Sequence, residues 1–112
     1  MKRSIVLATL LAFSSASNAV DCAGRVTSLS LMMSGGTVVV SLLGGPNYVY
    51  LCSVEATYNG VSAAVCKQMY QTLQLAKVTG ATMMFRFDGY TSCAAIPAWA
   101  AAPLNGWNTV LD

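Results

Sequence analysis

The sequence predicts a mainly β domain with one helix, a small five-stranded barrel fastened by disulfides. Three observations carry that prediction. Short apolar runs with a period of two recur along the chain, a single stretch switches to three- and four-residue spacing, and all four cysteines follow an N-terminal segment ordered like a secretion signal.

Residues 1–19 are read as that signal. Lys2 and Arg3 form its basic start, Ile5 to Phe13 its apolar stretch, and Ser14 to Ala19 its small polar end, with cleavage expected after Ala19. The apolar stretch is shorter than the ~20 residues needed to span a bilayer, so no membrane span is expected once it is removed. Residues 20–112 then form one domain of secreted or periplasmic address. Losing Lys2 and Arg3 takes the formal charge from +2 to neutral, because Arg25, Lys67, Lys77 and Arg86 balance Asp21, Glu55, Asp88 and Asp112. Four scattered basic residues make no phosphate-binding face, so no nucleic-acid partner is expected.

The first strand is expected over Val26 to Met33, where Leu29, Leu31 and Met33 alternate with Ser28 and Ser30. Ser34-Gly35-Gly36 supplies a turn. Thr37 to Leu43 is continuous and β-branched, which suits a strand covered on both faces, and Gly44-Gly45-Pro46-Asn47 ends it. Tyr48 to Val54 is the third strand, and the short connections make the three antiparallel. A helix follows over Ser62 to Val78, with Val65, Met69, Leu73 and Ala76 on one face, Ser62 as its cap and Gly80 as its stop. Thr82 to Phe87 is the fourth strand, with Met83, Phe85 and Phe87 inward and Thr82, Met84 and Arg86 outward. Asp88-Gly89 marks a turn, Ala94 to Ala102 a loop presenting Trp99, and Asn105 to Leu111 a last strand with Trp107 in the core. Five strands with the helix between the third and fourth are the element order of an OB-fold.

About 93 residues can build only a modest core, so covalent staples matter. Cys22, Cys52, Cys66 and Cys93 are expected to form two disulfides, and sequence leaves all three connectivities open. Pairing Cys52 with Cys66 would contribute roughly 3 kcal/mol through loop closure. A zinc site has neither histidine nor a C-x-x-C pair to support it.

Cys52, Cys66 and the stretch QTLQLAKVTGATMMFRFDG make the region Tyr48 to Cys93 resemble the receptor-binding B subunits of pertussis-like and subtilase-type bacterial toxins, together with small uncharacterised exported bacterial proteins. The shared pattern is a cysteine ending a strand, a second cysteine fourteen positions later at the helix start, then helix, Gly turn and strand. Cys93 followed by IPAW is closer to the uncharacterised group. The resemblance implies an OB-fold domain that assembles into a homo-oligomeric ring and binds glycans without a cofactor. In the toxin subunits a tyrosine near the end of the strand after the helix and a serine near the first strand contact the sugar. The tyrosine position is held here by Phe87, which has no hydroxyl, and the serine corresponds to Thr27 or Ser28.

Catalysis by acid–base or nucleophilic routes usually draws on histidine, which is absent, and four pairing cysteines leave no reactive thiol, so no enzyme is expected. Sugar binding joins a flat aromatic to hydrogen-bonding groups, and Tyr90, Trp99, Arg86, Asp88 and Ser92 supply these after the fourth strand. Trp99 is expected under the barrel or at a subunit contact, with ligand contact as the alternative, and Tyr48 and Tyr50 are expected to face solvent or a neighbouring subunit. Methionines on both strand faces point to a protein contact. The expected role is a secreted, non-catalytic subunit recognising a glycan or protein receptor; the alternative is a periplasmic, inhibitor-like protein binder with no sugar ligand.

Overall fold

The computed structural model describes residues 18–110, which leaves most of the expected signal and the end of the expected last strand outside the described residues. Chain order is β1 (Ala19–Leu31), β2 (Thr37–Leu42), β3 (Val49–Ser53), α1 (Ala63–Thr79), β4 (Thr82–Asp88), a 3₁₀ turn at Cys93–Ala95, β5 (Ala100–Ala101) and β6 (Leu104–Val110). The strands form one curled sheet in the order β5-β3-β2-β1-β4-β6. Every pairing is antiparallel except β3 with β5.

The strand count is six among the described residues, where the sequence predicts five, because the end of the expected Ala94 to Ala102 loop pairs with β3 as a short strand, and Pro103 separates it from the last strand. Proline has no N–H to give a ladder, so Ala100–Ala101 and Leu104–Val110 become separate strands. These two pieces occupy the two outer positions of the sheet although only Ala102 and Pro103 separate them. The sheet therefore curls until one chain segment reaches both of its sides. Asn59 holds that segment toward β3, its Nδ2 donating to the carbonyls of Leu51 (3.1 Å) and Ala102 (2.8 Å). The Asp88 N–H holds it toward β4 by donating to the Pro103 carbonyl at 2.9 Å.

β1 starts at Ala19 rather than Val26. Its first half pairs with β4 from Ala19 opposite Asp88 to Arg25 opposite Thr82, and the Asn18 carbonyl accepts from the Gly89 N–H at 2.8 Å. That half turns Cys22 and Val26 inward and Asp21, Ala23 and Arg25 outward, an alternation muted by small residues. Gly24 is obligatory for packing, since a Cβ there would collide with the Leu43 carbonyl oxygen. A bulge at Thr27 then shifts the pairing with β2 and flips the inward phase. Leu29 packs on the core, but Leu31 and Met33, expected beside it, are exposed where the hairpin overruns the domain.

β2 is buried on both faces as its composition predicts. Beneath the sheet, Phe85 and Phe87 pack with ring centroids 6.2 Å apart, joined by Val38, Val40, Leu51 and Met83. Helix α1 covers this core with Cys66, Met69, Leu73 and Ala76; Val65, expected on that face, is 41% exposed. The face runs through 66, 69, 73 and 76, so Cys66 takes the place assigned to Val65. Ser62 Oγ accepts from the Val65 N–H at 3.2 Å, and Gly80 closes the helix in the left-handed conformation with φ +77°. Trp107 lies half-buried against the core instead of within it.

Both disulfides are formed, Cys22 with Cys93 and Cys52 with Cys66. The first spans 71 positions and contributes about 4 kcal/mol by loop-closure entropy; the second anchors the end of β3 to the first turn of α1. Among the described residues, no helix is long and apolar enough to cross a membrane.

Candidate functional site

Two irregular segments meet at the β3–β5 side of the sheet. The first leaves β2 and turns through Gly44-Gly45-Pro46-Asn47, held by the Gly45 N–H on the Leu42 carbonyl (2.9 Å) and the Leu42 N–H on the Pro46 carbonyl (3.0 Å). The second runs from Cys93, fixed to β1 through its disulfide, to Ala98. They approach closely enough that a Cβ on Gly45 would sit 3.5 Å from the Cys93 carbonyl oxygen. Between them lies a cleft of about 200 Å³ lined by Gly44, Pro46, Asn47, Cys93, Ile96 and Ala98, among others.

Each wall of the cleft ends in an aromatic residue. Asn47 leads into Tyr48 and Ala98 into Trp99, and the two rings stack with centroids 4.6 Å apart and planes 7° from parallel. Trp99 is 60% exposed and Tyr48 41%. Both have left-handed backbones, φ +53° at Tyr48 and +59° at Trp99, a conformation that costs a bulky residue on the order of 1–3 kcal/mol. Their surroundings hold them there. The Trp99 N–H donates to the Tyr48 carbonyl at 2.8 Å, the Tyr48 N–H donates to the buried Ser41 Oγ at 2.8 Å, and the next residues, Val49 and Ala100, pair in the parallel ladder. The outcome is a rigid aromatic ledge beside a small, mixed polar and apolar cleft.

The residues predicted for ligand binding do not gather here, with one exception. Trp99 belongs to the ledge and is not packed under the barrel. Arg86 lies on β4 and already binds the Asp21 carboxylate through its Nη1 at 3.1 and 3.3 Å, a half-exposed pair of the kind worth about 0–1 kcal/mol. Asp88 accepts from Asn105 Nδ2 at 3.3 Å. Ser92 caps the 3₁₀ turn by accepting from the Ala95 N–H at 3.2 Å, and Tyr90 packs against the core. Thr27 sits at the β1 bulge and donates to the Ser41 carbonyl at 3.2 Å, with Ser28 opposite Ser41 in register. Phe87 is fully buried.

The chain matches no family model, no curated protein and no solved structure. Sequence reasoning passed over Asn47, Ser41 and the Gly44–Pro46 turn, which read only as a strand ending. The signal that was there is the close succession of a Gly-Gly-Pro-Asn turn and the aromatic Tyr48, a composition that exposes a ring on a tight loop.

A second concavity, about 360 Å³, lies between the later half of α1 and β6 and is lined by Thr72, Leu75, Ala76, Thr79, Ala81 and Thr109. Leu75 and Val78 are exposed on the same half of the helix.

Proposed function

We propose that residues 20–112 form an exported, non-catalytic recognition domain with an OB-like barrel, and that the Tyr48–Trp99 ledge and its cleft hold a glycan. One observation carries the reading: two bulky aromatic residues are kept exposed, stacked and backbone-strained at one spot. Strain of this kind persists where surrounding structure enforces it, and clusters at ligand-binding positions. A parallel aromatic pair offers a flat apolar surface to the C–H face of a sugar ring, while the adjoining cleft offers hydrogen-bonding groups to its hydroxyls. The OB-like reading draws support from α1 lying between β3 and β4 and from one run, Ala100 to Val110, reaching both outer strands. Two formed disulfides fit an oxidising compartment.

A glycan array probed with the purified 20–112 domain tests the reading. Binding that disappears in Trp99→Ala is expected; a blank array, or hits that W99A leaves unchanged, would remove it. The exposed Leu75 and Val78 beside the α1–β6 concavity favour an accompanying role in self-association, eased by the neutral charge of residues 20–112. Light scattering on the same sample is expected to show an oligomer that Leu75→Glu dissociates.

A further inference from the structure

We infer that the ligand of the Tyr48–Trp99 site is a neutral sugar, held by its ring and not by a carboxylate or phosphate; the inference rests on the glycan reading above and narrows it. Recognition of an acidic sugar draws on a cation, and no basic side chain lines the cleft. Its walls carry glycines, Pro46, alanines, Ile96, a disulfide-bonded Cys93 and Asn47, so no lining side chain is ionisable. The four basic residues of the domain are placed elsewhere. Lys67 and Lys77 stand on α1, Arg25 lies against Gly80 at the helix end, and Arg86 is taken by Asp21. The two rings bring no main-chain donor of their own, because the N–H groups of Tyr48 and Trp99 bond to the Ser41 hydroxyl and the Tyr48 carbonyl, and the Gly45 N–H bonds to the Leu42 carbonyl.

What remains is Asn47, whose carboxamide is the one hydrogen-bonding side chain of the cleft lining and can both donate and accept. A neutral hydroxyl needs that pairing, because it too is donor and acceptor. A carboxylate would meet one side-chain amide and no cation, and would lose hydration without a charge to offset it. The ledge itself favours the same class, since the electron-rich ring face attracts the polarised C–H groups of a pyranose and repels an anion.

The test is titration of the 20–112 domain with lactose, cellobiose and N,N′-diacetylchitobiose, each beside an acidic counterpart such as 3′-sialyllactose, at low and high salt. At least one neutral disaccharide is expected to bind with an affinity that salt does not change. Losing the ring in W99A should weaken it by about tenfold or more, the equivalent of a good aromatic contact, with Trp99→Phe retaining most of the binding. Asn47→Ala should weaken it several-fold. Trp99-dependent binding of acidic glycans alone would overturn the neutral class and leave the ledge standing. Absence of binding to every glycan, or binding indifferent to W99A, would overturn both.

Discussion

The β1–β4 pairing and the β3–β5 corner are built by opposite means. Seven consecutive register pairs join β1 to β4, the inward side chains are buried, and Cys22, Phe85 and Phe87 lie in the core beneath them. The β3–β5 ladder is only two residue pairs long, and the loops entering it carry exposed rings with positive φ. One region gains its stability from burial, the other is held by ties from outside: a disulfide at Cys93, a side-chain amide at Asn59 and a buried hydroxyl at Ser41. Such a division lets a small curled sheet keep a strained, solvent-facing surface without weakening its core.

The sharpest way to break the contrast is to remove the longest tie. Cys22→Ala with Cys93→Ala is expected to destabilise the domain by about 4 kcal/mol in urea unfolding, because the closed loop spans most of the fold. It should also free the Cys93–Ala98 wall. Proteolysis in native buffer, cutting in that segment before the β1–β4 region, would show the two effects separately.

Asn59→Ala comes next. It deletes both amide bonds that hold the Ala102–Pro103 link toward β3 and leaves the buried Ala102 carbonyl without its donor, a loss of about 1–3 kcal/mol. Hydrogen exchange should quicken at Ala100 and Ala101 while the β1–β4 amides keep their protection; uniform acceleration would contradict a separately held corner.

How much of this was legible in the sequence follows the same division. Met83, Phe85 and Phe87 alternate cleanly, and Ser62 and Gly80 bracket α1, because a buried face and a helix end each demand particular residues at fixed spacing. The first half of β1 was missed since Ala19, Ala23 and Gly24 give no hydrophobic rhythm; its pairing with β4 makes it a strand. Leu31 and Met33 keep the phase of Leu29, but the hairpin carries them past the core, and periodicity alone does not show where the core ends. The corner was the least readable part. Trp99 and Tyr48 lie 51 positions apart, joined by a ladder two residues long, and nothing local announces that their rings will stack. Arg86 and Asp88, by contrast, looked functional for being charged beside aromatics, and the fold gives them Asp21 and Asn105 as partners.

Smaller effects sharpen the comparison. Ser41→Ala removes the acceptor of the Tyr48 N–H and should cost about 1–2 kcal/mol of stability, together with weaker ligand binding, as the ledge loses its support from below. Arg86→Ala should change stability by no more than about 0.5 kcal/mol and leave glycan binding intact, since its half-exposed pair with Asp21 bridges β4 and β1, away from the ledge. A loss of binding in R86A would shift the ligand surface from the β3–β5 corner to the β4 face.

The most direct measurement uses the two tryptophans, Trp99 on the ledge and Trp107 against the core. In an ¹⁵N spectrum of the 20–112 domain titrated with the neutral disaccharides, the Trp99 indole N–H and the non-proline amides of residues 44–48 and 93–99 are expected to shift. Trp107 and the β4 amides should stay in place. Shifts centred on Trp107, on Arg86 to Asp88, or on α1 would contradict the account.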